Sequence, residues 1–314
     1  MTRRGTITPR RRILVIKLGA LGDFILATGP FAAIRETHAE DEIVLLTTAP
    51  FAEMGRNCSL FNDVWVDERP SRLDLIAIQR LRRRLRGGRF TRVYDLQTSS
   101  RSAWYFQLMR GFSSPQWSGV AFGASHPHAN SNRNKMHTIE RQAEQLAMAG
   151  ILETPFPNLS WLTSDVVRFS LPDKYVLLIP GGAAHRPEKR WPADLYRDLA
   201  SSISAAGILP VVIGGQDEVG LAAEIADNNV ARSIAGETSF ADIAELSRHA
   251  IAAIGNDTGP THISAICGCP SVVLFSKASN PDISAPRGDD VTILRCENLA
   301  DLSVREVAEA LRLR

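Results

Sequence analysis

Short apolar runs alternate with helical patterns along the first half of the chain. The sequence predicts strands over residues 12–18, 42–47, 64–66 and 92–96. A glycine turn, Gly19-Ala20-Leu21-Gly22-Asp23, follows the first strand and leads into a helical pattern over residues 24–37. This alternation is typical of a parallel sheet that is covered by helices.

The same alternation begins again in the second half. Strands are predicted over residues 175–179, 209–213, 251–254 and 271–275, and a helix over residues 193–206. Between the halves, residues 113–136 follow no period, a helix covers residues 138–148, and the Pro-rich stretch 152–165 is typical of a linker. We therefore predict two doubly wound α/β domains, residues 1–160 and 161–314, with a cleft between them.

The last helical pattern has its own start signal. Ser303 and Glu306 have the spacing of a capping box, and Val304, Val307 and Leu311 fall on one helical face. We expect this helix to dock through its apolar face and to pack back on the N-terminal domain.

The overall charge adds little to this prediction, but positive charge is concentrated in two segments. The 36 Lys and Arg residues nearly balance the 34 Asp and Glu residues, so bulk charge does not favour a nucleic-acid partner. Two clusters are nevertheless rich in arginine: Arg3, Arg4, Arg10, Arg11 and Arg12 in the N-terminal segment, and Arg80, Arg82, Arg83, Arg84, Arg86 and Arg89 in a helical stretch. Two alternatives remain for these arginines: they contact an anionic membrane surface, or they simply form a solvated surface.

The length of the apolar runs and the spacing of the cysteines indicate the cellular compartment of the protein. The chain has no apolar run of roughly 18 residues and no signal-peptide pattern, so we expect a cytoplasmic protein that touches the inner membrane at most peripherally. Cys58, Cys267, Cys269 and Cys296 lack CxxC spacing, so we expect reduced, mostly buried thiols and no metal site.

The segment from Ile254 to His262, with the sequence IGNDTGPTH, combines a strand end, a polar turn and a helix start. Pro260 suits the first turn of a helix, where its missing N–H costs nothing. The free N–H groups and the positive end of the helix dipole suit a phosphate, and Gly259 allows a ligand close to the backbone. The segment therefore predicts a phosphate-binding turn at the carboxyl edge of the second sheet.

Two side chains of this segment fit phosphate binding less directly. A phosphate repels a carboxylate, so Asp257 is expected to accept hydrogen bonds from ligand hydroxyl groups, as on a sugar. Helix capping by Asp257 or Thr258 is the alternative. His262, one turn further, either contacts the same ligand or packs in the core.

A glycine-opened loop follows the strand at residues 175–179. It runs from Gly181 and Gly182 to Lys189, and it contains neither the dinucleotide fingerprint GxGxxG nor the phosphate loop GxxxxGK[ST]. Lys189, helped by Arg186 or Arg190, would balance the charge of a diphosphate. A solvated surface lysine is the alternative.

Carboxylates follow two further strands. Asp217 or Glu218, after Gly214-Gly215, is placed to hold ribose hydroxyl groups, as the acidic residue does in dinucleotide folds. Asp23 occupies the corresponding turn of the first half, where it either faces the cleft or caps the helix that follows.

Three motifs in this order resemble the heptosyltransferases, glycosyltransferase family nine. They are residues 16–28 (IKLGALGDFILAT), residues 189–192 (KRWP) and residues 256–262 (NDTGPTH), and the resemblance spans nearly the whole chain. It implies a GT-B fold, in which two Rossmann-like domains hold the acceptor on the N-terminal side and an ADP-sugar on the C-terminal side. It also implies transfer of a heptose to the lipopolysaccharide core with inversion, without a metal or another cofactor.

The resemblance also implies roles for individual residues. Asp23 would be the general base, Lys189 would steady the leaving diphosphate, and Asp257 would bind the donor sugar. Thr258 and Gly259 would contact phosphate. The candidates for the donor site are completed by His262, Gly181, Gly182, Asp217 and Glu218, and those for the acceptor side are Gly22, Arg101 and Trp117.

Two other function classes remain as alternatives. A non-catalytic nucleotide-sugar-binding module on the same fold would bind the ligand and yield no product. A nicotinamide-dependent enzyme would use the first glycine turn, but Gly19 and Gly22 lack the spacing of the fingerprint. The expected partners are thus a nucleotide-sugar donor and a glycan or glycolipid acceptor.

Overall fold

The computed structural model describes residues 10–71, 73–111, 114–182 and 186–314. These residues divide into two compact units. The first comprises the described residues up to Gly19 together with Ala27–Asn134 and Ile139–Phe156. The second comprises Ala20–Leu26, Lys135–Thr138 and Pro157–Arg314. Arg3 and Arg4 of the N-terminal arginine cluster lie outside the described residues.

The first unit is built on a parallel six-stranded sheet. Its strands are β1 Arg12–Ile16, β2 Glu42–Thr47, β3 Asp63–Val66, β4 Arg92–Asp95, β5 Gln116–Gly119 and β6 His126–Pro127. The helices of this half of the chain are α1 Leu21–Leu26, α2 Thr28–Thr37, α3 Ala49–Asn57, α4 Leu75–Gly87, α5 Ser100–Met109 and α6 Thr138–Met148. The short helix α1 groups with the second unit.

The second unit repeats this plan. Its strands are β7 Tyr175–Ile179, β8 Leu209–Val212, β9 Arg232–Ser233, β10 Ala252–Asn256, β11 Ser271–Phe275 and β12 Val291–Arg295. Its helices are α7 Ala193–Ala205, α8 Val219–Ile225, α9 Phe240–His249, α10 Gly259–Ile266, α11 Pro281–Ser284 and α12 Val304–Ala310.

Both sheets have the strand order of dinucleotide-binding folds. The order is β3-β2-β1-β4-β5-β6 in the first and, read from the opposite edge, β9-β8-β7-β10-β11-β12 in the second. The chain reverses its direction of travel between β1 and β4 and again between β7 and β10. Ligands of open parallel sheets bind at such a point, beyond the carboxyl ends of the strands.

The apolar pattern located most elements because the central strands are buried on both faces. Strands β2, β7 and β11 and helix α6 have the predicted bounds. The helix predicted over residues 24–37 is wrong in one respect, since α1 and α2 are separate and Ala27 lies between them. Pro30 explains the break, because it has no N–H to donate to the carbonyl of Leu26.

The segment predicted as irregular, residues 113–136, contains two short strands, although Ser113 itself lies outside the described residues. Strand β5 has four residues and β6 has two, which is too short for an alternating pattern to be recognised. The C-terminal helix begins at the predicted capping box, where Ser303 accepts a hydrogen bond from the Glu306 amide. Its Val307 is buried in the core of its own unit, and α12 packs against α7.

All four cysteines are free, and Cys58 and Cys269 are buried. Among the described residues, no helix is both long and apolar enough to cross a membrane.

Candidate functional site

The two segments singled out from the sequence lie side by side in the second unit. Strands β7 and β10 are parallel neighbours, with Ile179 paired to Gly255. The loop after β7 and the turn after β10 therefore leave the sheet at the same edge. Helix α10 begins at Gly259, immediately after this turn.

Asn256 holds this edge together. Its side chain is fully buried at the end of β10, where the amide nitrogen donates to the Pro180 carbonyl at 2.8 Å. The amide oxygen accepts from the Trp191 backbone N–H at 3.0 Å. Asn256 thus ties both ends of the loop after β7 to β10. No role was predicted for Asn256, although it is a polar residue at the end of an apolar strand and the first residue of the motif NDTGPTH.

Lys189 and Asp257 form an ion pair. The Lys189 Nζ lies 2.6 Å from an Asp257 carboxylate oxygen, and their side chains are 14% and 9% exposed. The sequence had suggested separate tasks for the two residues, whereas in the folded chain they form one charged pair. The pair excludes the alternative of a freely solvated lysine.

The start of α10 has no side-chain cap. Thr258 occupies the N-cap position, but its hydroxyl makes no capping hydrogen bond. Asp257 is paired with Lys189 instead. The capping alternative for these two residues is therefore not what the structure contains, and the first N–H groups of α10 donate no hydrogen bond to their side chains.

Two glycines allow α1 to lie against α10 within the second unit. A Cβ atom on Gly22 would lie 2.7 Å from the His262 ring, and one on Gly259 would lie 2.5 Å from Leu21. Real Cβ atoms do not approach other atoms so closely, so both positions need glycine for packing. The side chain of Leu21 thus lies directly beside the backbone of Gly259.

His262 is a buried residue that several nearby charged groups influence. It is 4% exposed, and its Nδ1 has no hydrogen-bond partner among the described residues. Burial lowers the pKa of His262 to about 4; the nearby carboxylates of Asp257 and Asp23 raise it, while His137 and Lys189 lower it. The imidazole is therefore neutral near pH 7.

Asp23 is the third residue of α1 and is half-buried. Its carboxylate makes no hydrogen bond or ion pair with any residue that the structure describes. The helix begins at Leu21 rather than at Phe24, so Asp23 does not cap it.

Glu218 joins the loops that follow β7 and β8. Its carboxylate accepts from the Gly182 amide at 3.0 Å and from the Gly215 amide at 2.7 Å. Gly181 permits this contact, since a Cβ there would lie 2.1 Å from a Glu218 oxygen. Asp217 is exposed and makes no side-chain hydrogen bond with a described residue. Of the two ribose candidates, Glu218 is thus held by backbone amides and Asp217 is open to solvent.

The two arginines suggested as helpers of Lys189 form hydrogen bonds with backbone carbonyl groups instead. Arg190 donates to the Gly182 carbonyl, and Arg186 donates to the Ala278 carbonyl at 2.7 Å. Residues 183–185 of the same loop lie outside the described residues. Both guanidinium groups therefore shape the loop in this structure.

The acceptor-side candidates of the first unit have different surroundings. Arg101, in the first turn of α5, donates to the Tyr105 hydroxyl at 3.2 Å and is half-buried. Trp117 is fully buried and packs on Phe106, with ring centroids 5.0 Å apart. The structure thus gives Trp117 a packing role, because an indole without exposed surface offers nothing to a bound acceptor. Gly22, the third candidate, belongs to the second unit and lies against His262.

A family model described as glycosyltransferase family 9 (heptosyltransferase) matches residues 78–310 of the 314. The chain belongs to this family. The family found from the three sequence motifs is thereby confirmed.

Other members of the family resemble parts or all of the chain. Lipopolysaccharide heptosyltransferase 2 of Escherichia coli is 29% identical over 120 residues, which are 36% of this chain and 34% of that protein. The chain thus matches about a third of the length of this curated relative.

Solved structures match the chain over nearly its whole length. A family 9 glycosyltransferase from Veillonella parvula has a TM-score of 0.82 at 19% identity, covering 96% of both chains. The E. coli heptosyltransferase WaaC, solved with ADP-2-deoxy-2-fluoro heptose, has a TM-score of 0.73 at 18% identity, covering 95% of this chain and 98% of that one. These likenesses, with the two parallel sheets, confirm the GT-B fold class.

Proposed function

We propose that this family 9 chain is an inverting, metal-independent glycosyltransferase. It moves a heptose or a related sugar from an ADP-sugar to a lipopolysaccharide core or another glycan acceptor. The names of its relatives support the sugar and the acceptor, and the ligand of the WaaC structure supports an ADP-linked donor. The observation that carries the proposal is the grouping of Asp23, Asp257 and Lys189 around His262, with only Asp23 unpaired.

Asp23 would act as the general base in this reaction. A sugar hydroxyl is a poor nucleophile, and a carboxylate that accepts its proton contributes roughly 10²–10⁴-fold to the rate. Asp23 has no hydrogen bond or ion pair with a described residue that would compete for this proton. One direct displacement at the anomeric carbon then inverts its configuration, and no nucleophile of the enzyme is needed.

Lys189 and Asp257 would each contact a different part of the donor, the diphosphate and the sugar. The ammonium group of Lys189 balances the charge that grows on the leaving diphosphate, together with the N–H groups at Thr258 and Gly259. The Asp257 carboxylate accepts from sugar hydroxyl groups, and its pairing at 2.6 Å keeps the ammonium group in place before the donor binds. Asp217 or Glu218 would hold the ribose.

Replacing Asp23 by Asn tests the proposed base. The variant should bind ADP in a calorimetric titration with a Kd within about twofold of wild type, while sugar transfer falls at least about 100-fold. Asp198→Asn, an exposed change on α7, is the control and should leave both unchanged. Full transfer by Asp23→Asn would remove Asp23 as the base.

Titration of the wild-type chain with ADP, UDP, GDP and NAD tests the donor class. Preference for ADP supports the proposal, and preference for NAD would contradict it. Binding of ADP-heptose without product from any offered glycan acceptor would instead indicate a non-catalytic binding module.

A further inference from the structure

Helix α4 of the first unit begins with exposed aliphatic side chains. Leu73 is 90% exposed, Leu75 is 71% exposed and Ile76 is 75% exposed. Three large apolar residues within four positions form one patch at the start of the helix, where Asp74 is the N-cap. Exposed apolar patches of this kind mark surfaces that meet a partner or a membrane.

The rest of α4 carries positive charge that the protein does not neutralise. Arg80, Arg82 and Arg83 are exposed and make no hydrogen bond or ion pair with a described residue. The helix Leu75–Gly87 has no acidic residue. The guanidinium groups on this surface are therefore available to an anionic partner.

The N-terminal arginines differ in this respect. Arg11 lies 2.9 Å from Asp41, and Arg12 lies 2.7 Å from Glu42. Internal carboxylates thus compensate the charges of these two described arginines. Arg10 is exposed and makes no hydrogen bond or ion pair with a described residue, so the N-terminal cluster keeps one uncompensated arginine in the described chain, whereas α4 has three.

The apolar and basic side chains share the solvent side of α4. Ile76, Arg80 and Arg83 are separated by four and three residues and so form one stripe along the helix. Leu85 falls on the opposite side and is fully buried in the core of the first unit. A flat anionic surface could therefore contact the aliphatic side chains at the start of α4 and the arginines at the same time.

The aliphatic end lies at the carboxyl edge of the first sheet. The Pro70 carbonyl, three residues before Leu73, accepts from Arg101 at the start of α5 at 3.4 Å. At the other end of α4, the Gly88 carbonyl accepts from Arg12, the first residue of β1. The exposed patch is thus on the side where parallel sheets bind ligands.

We propose that Leu73, Leu75, Ile76, Arg80, Arg82 and Arg83 form a docking surface for a bilayer that contains anionic lipid. The aliphatic side chains enter the boundary between headgroups and acyl chains, and the arginines pair with lipid phosphates. A nucleic acid would satisfy the arginines but would leave the aliphatic side chains in water, and the helix Leu75–Gly87 has no aromatic residue for base stacking.

Docking through this surface brings the carboxyl edge of the first sheet towards lipid. That edge would then receive an acceptor that is itself anchored in a membrane. This consequence rests on the proposed transfer to a glycolipid, whereas docking itself does not. Vesicle binding without any donor or acceptor therefore tests the surface separately from catalysis.

The test measures co-sedimentation of the full chain with vesicles of phosphatidylglycerol and phosphatidylethanolamine, and with phosphatidylcholine vesicles. We expect binding to the anionic vesicles at least about tenfold tighter, weakening as salt rises. The variant Arg80→Gln/Arg82→Gln/Arg83→Gln should bind them roughly 100-fold more weakly, at about fivefold per charge. Leu75→Ser/Ile76→Ser should weaken binding about tenfold with the charge unchanged.

Control variants remove the same charge, or one exposed apolar side chain, from the second unit. Arg295→Gln/Arg305→Gln/Arg312→Gln and Val167→Ser change exposed residues and should alter vesicle binding less than about twofold. Equal losses in the test and control variants would overturn the proposal, as would equal binding to both kinds of vesicle. Displacement by duplex DNA, with no effect of the Leu75→Ser/Ile76→Ser change, would show a general polyanion surface and also overturn it.

Discussion

At the scale of residues, single glycines allow α1 to pack closely against α10 in the second unit, because they have no side chain. Gly22 lies against the imidazole of His262, so this ring is shielded from water on one side by backbone alone. The same burial lowers the pKa of His262 to about 4. The close packing of α1 against His262 thus depends on the absence of a side chain at position 22.

Replacing Gly22 by Ala should displace the His262 ring, because the added Cβ would lie 2.7 Å from it. We expect the free energy of unfolding, measured by urea denaturation, to fall by about 1–3 kcal/mol. Gly220→Ala is the matched control: nothing lies within 4 Å of its Cβ position in α8, so it should stabilise by up to about 1 kcal/mol. Unchanged stability of Gly22→Ala would contradict the packing described.

At the scale of elements, the start of α9 shows how one carboxylate can hold several segments. Asp242 is 2% exposed and accepts from the Ser239 amide, the Ser164 hydroxyl and the Arg168 guanidinium group. These donors lower the pKa of Asp242 well below its usual range, against the effect of burial. The charged form is therefore favoured in the folded state.

Replacing Asp242 by Asn should cost about 2–3 kcal/mol of unfolding free energy at pH 7, because hydrogen bonds to a charge are lost. A lowered carboxyl pKa stabilises the fold above its unfolded value of about 4, and this contribution is lost as pH falls towards the folded value. The difference between the two proteins should therefore shrink below about pH 4. Urea denaturation across that range measures it, and a difference independent of pH would contradict the assignment.

At the scale of the whole molecule, the same plan occurs twice with different site residues. Each unit has a six-stranded parallel sheet and its own buried core. The Lys189–Asp257 pair and His262 belong to the second unit, and Asp23 groups with them because Ala20–Leu26 belongs to that unit. The unpaired arginines of α4 belong to the first unit.

Hydrogen exchange should locate the proposed donor in the second unit. With ADP at about 100 times its Kd, the bound state gains about 2.7 kcal/mol, so amides of the ligand site should exchange more slowly. We expect protection at the start of α10, at Gly181 and Gly182, and in Ala20–Leu26, but not in β3 of the first unit. Mass spectrometry with and without ADP measures this, and protection of β3 alone would contradict the donor site.

The sequence alone determined the α/β class, most strands and the position of the candidate turn. Buried parallel strands need continuous apolar residues, so β2, β7 and β11 could be recognised without structural information. A capping box is local as well, and Ser303 marked the start of α12. The three family motifs were likewise visible as contiguous residues, and the family is confirmed.

Only the tertiary structure decided which side chains meet. Lys189 and Asp257 are 68 positions apart, and no periodicity indicates that they form a pair. Trp117 looked like a loop residue, yet it is fully buried because β5 lies within the sheet. Hydrophobic periodicity reports which face of an element is buried, whereas contacts between distant residues depend on how the elements pack.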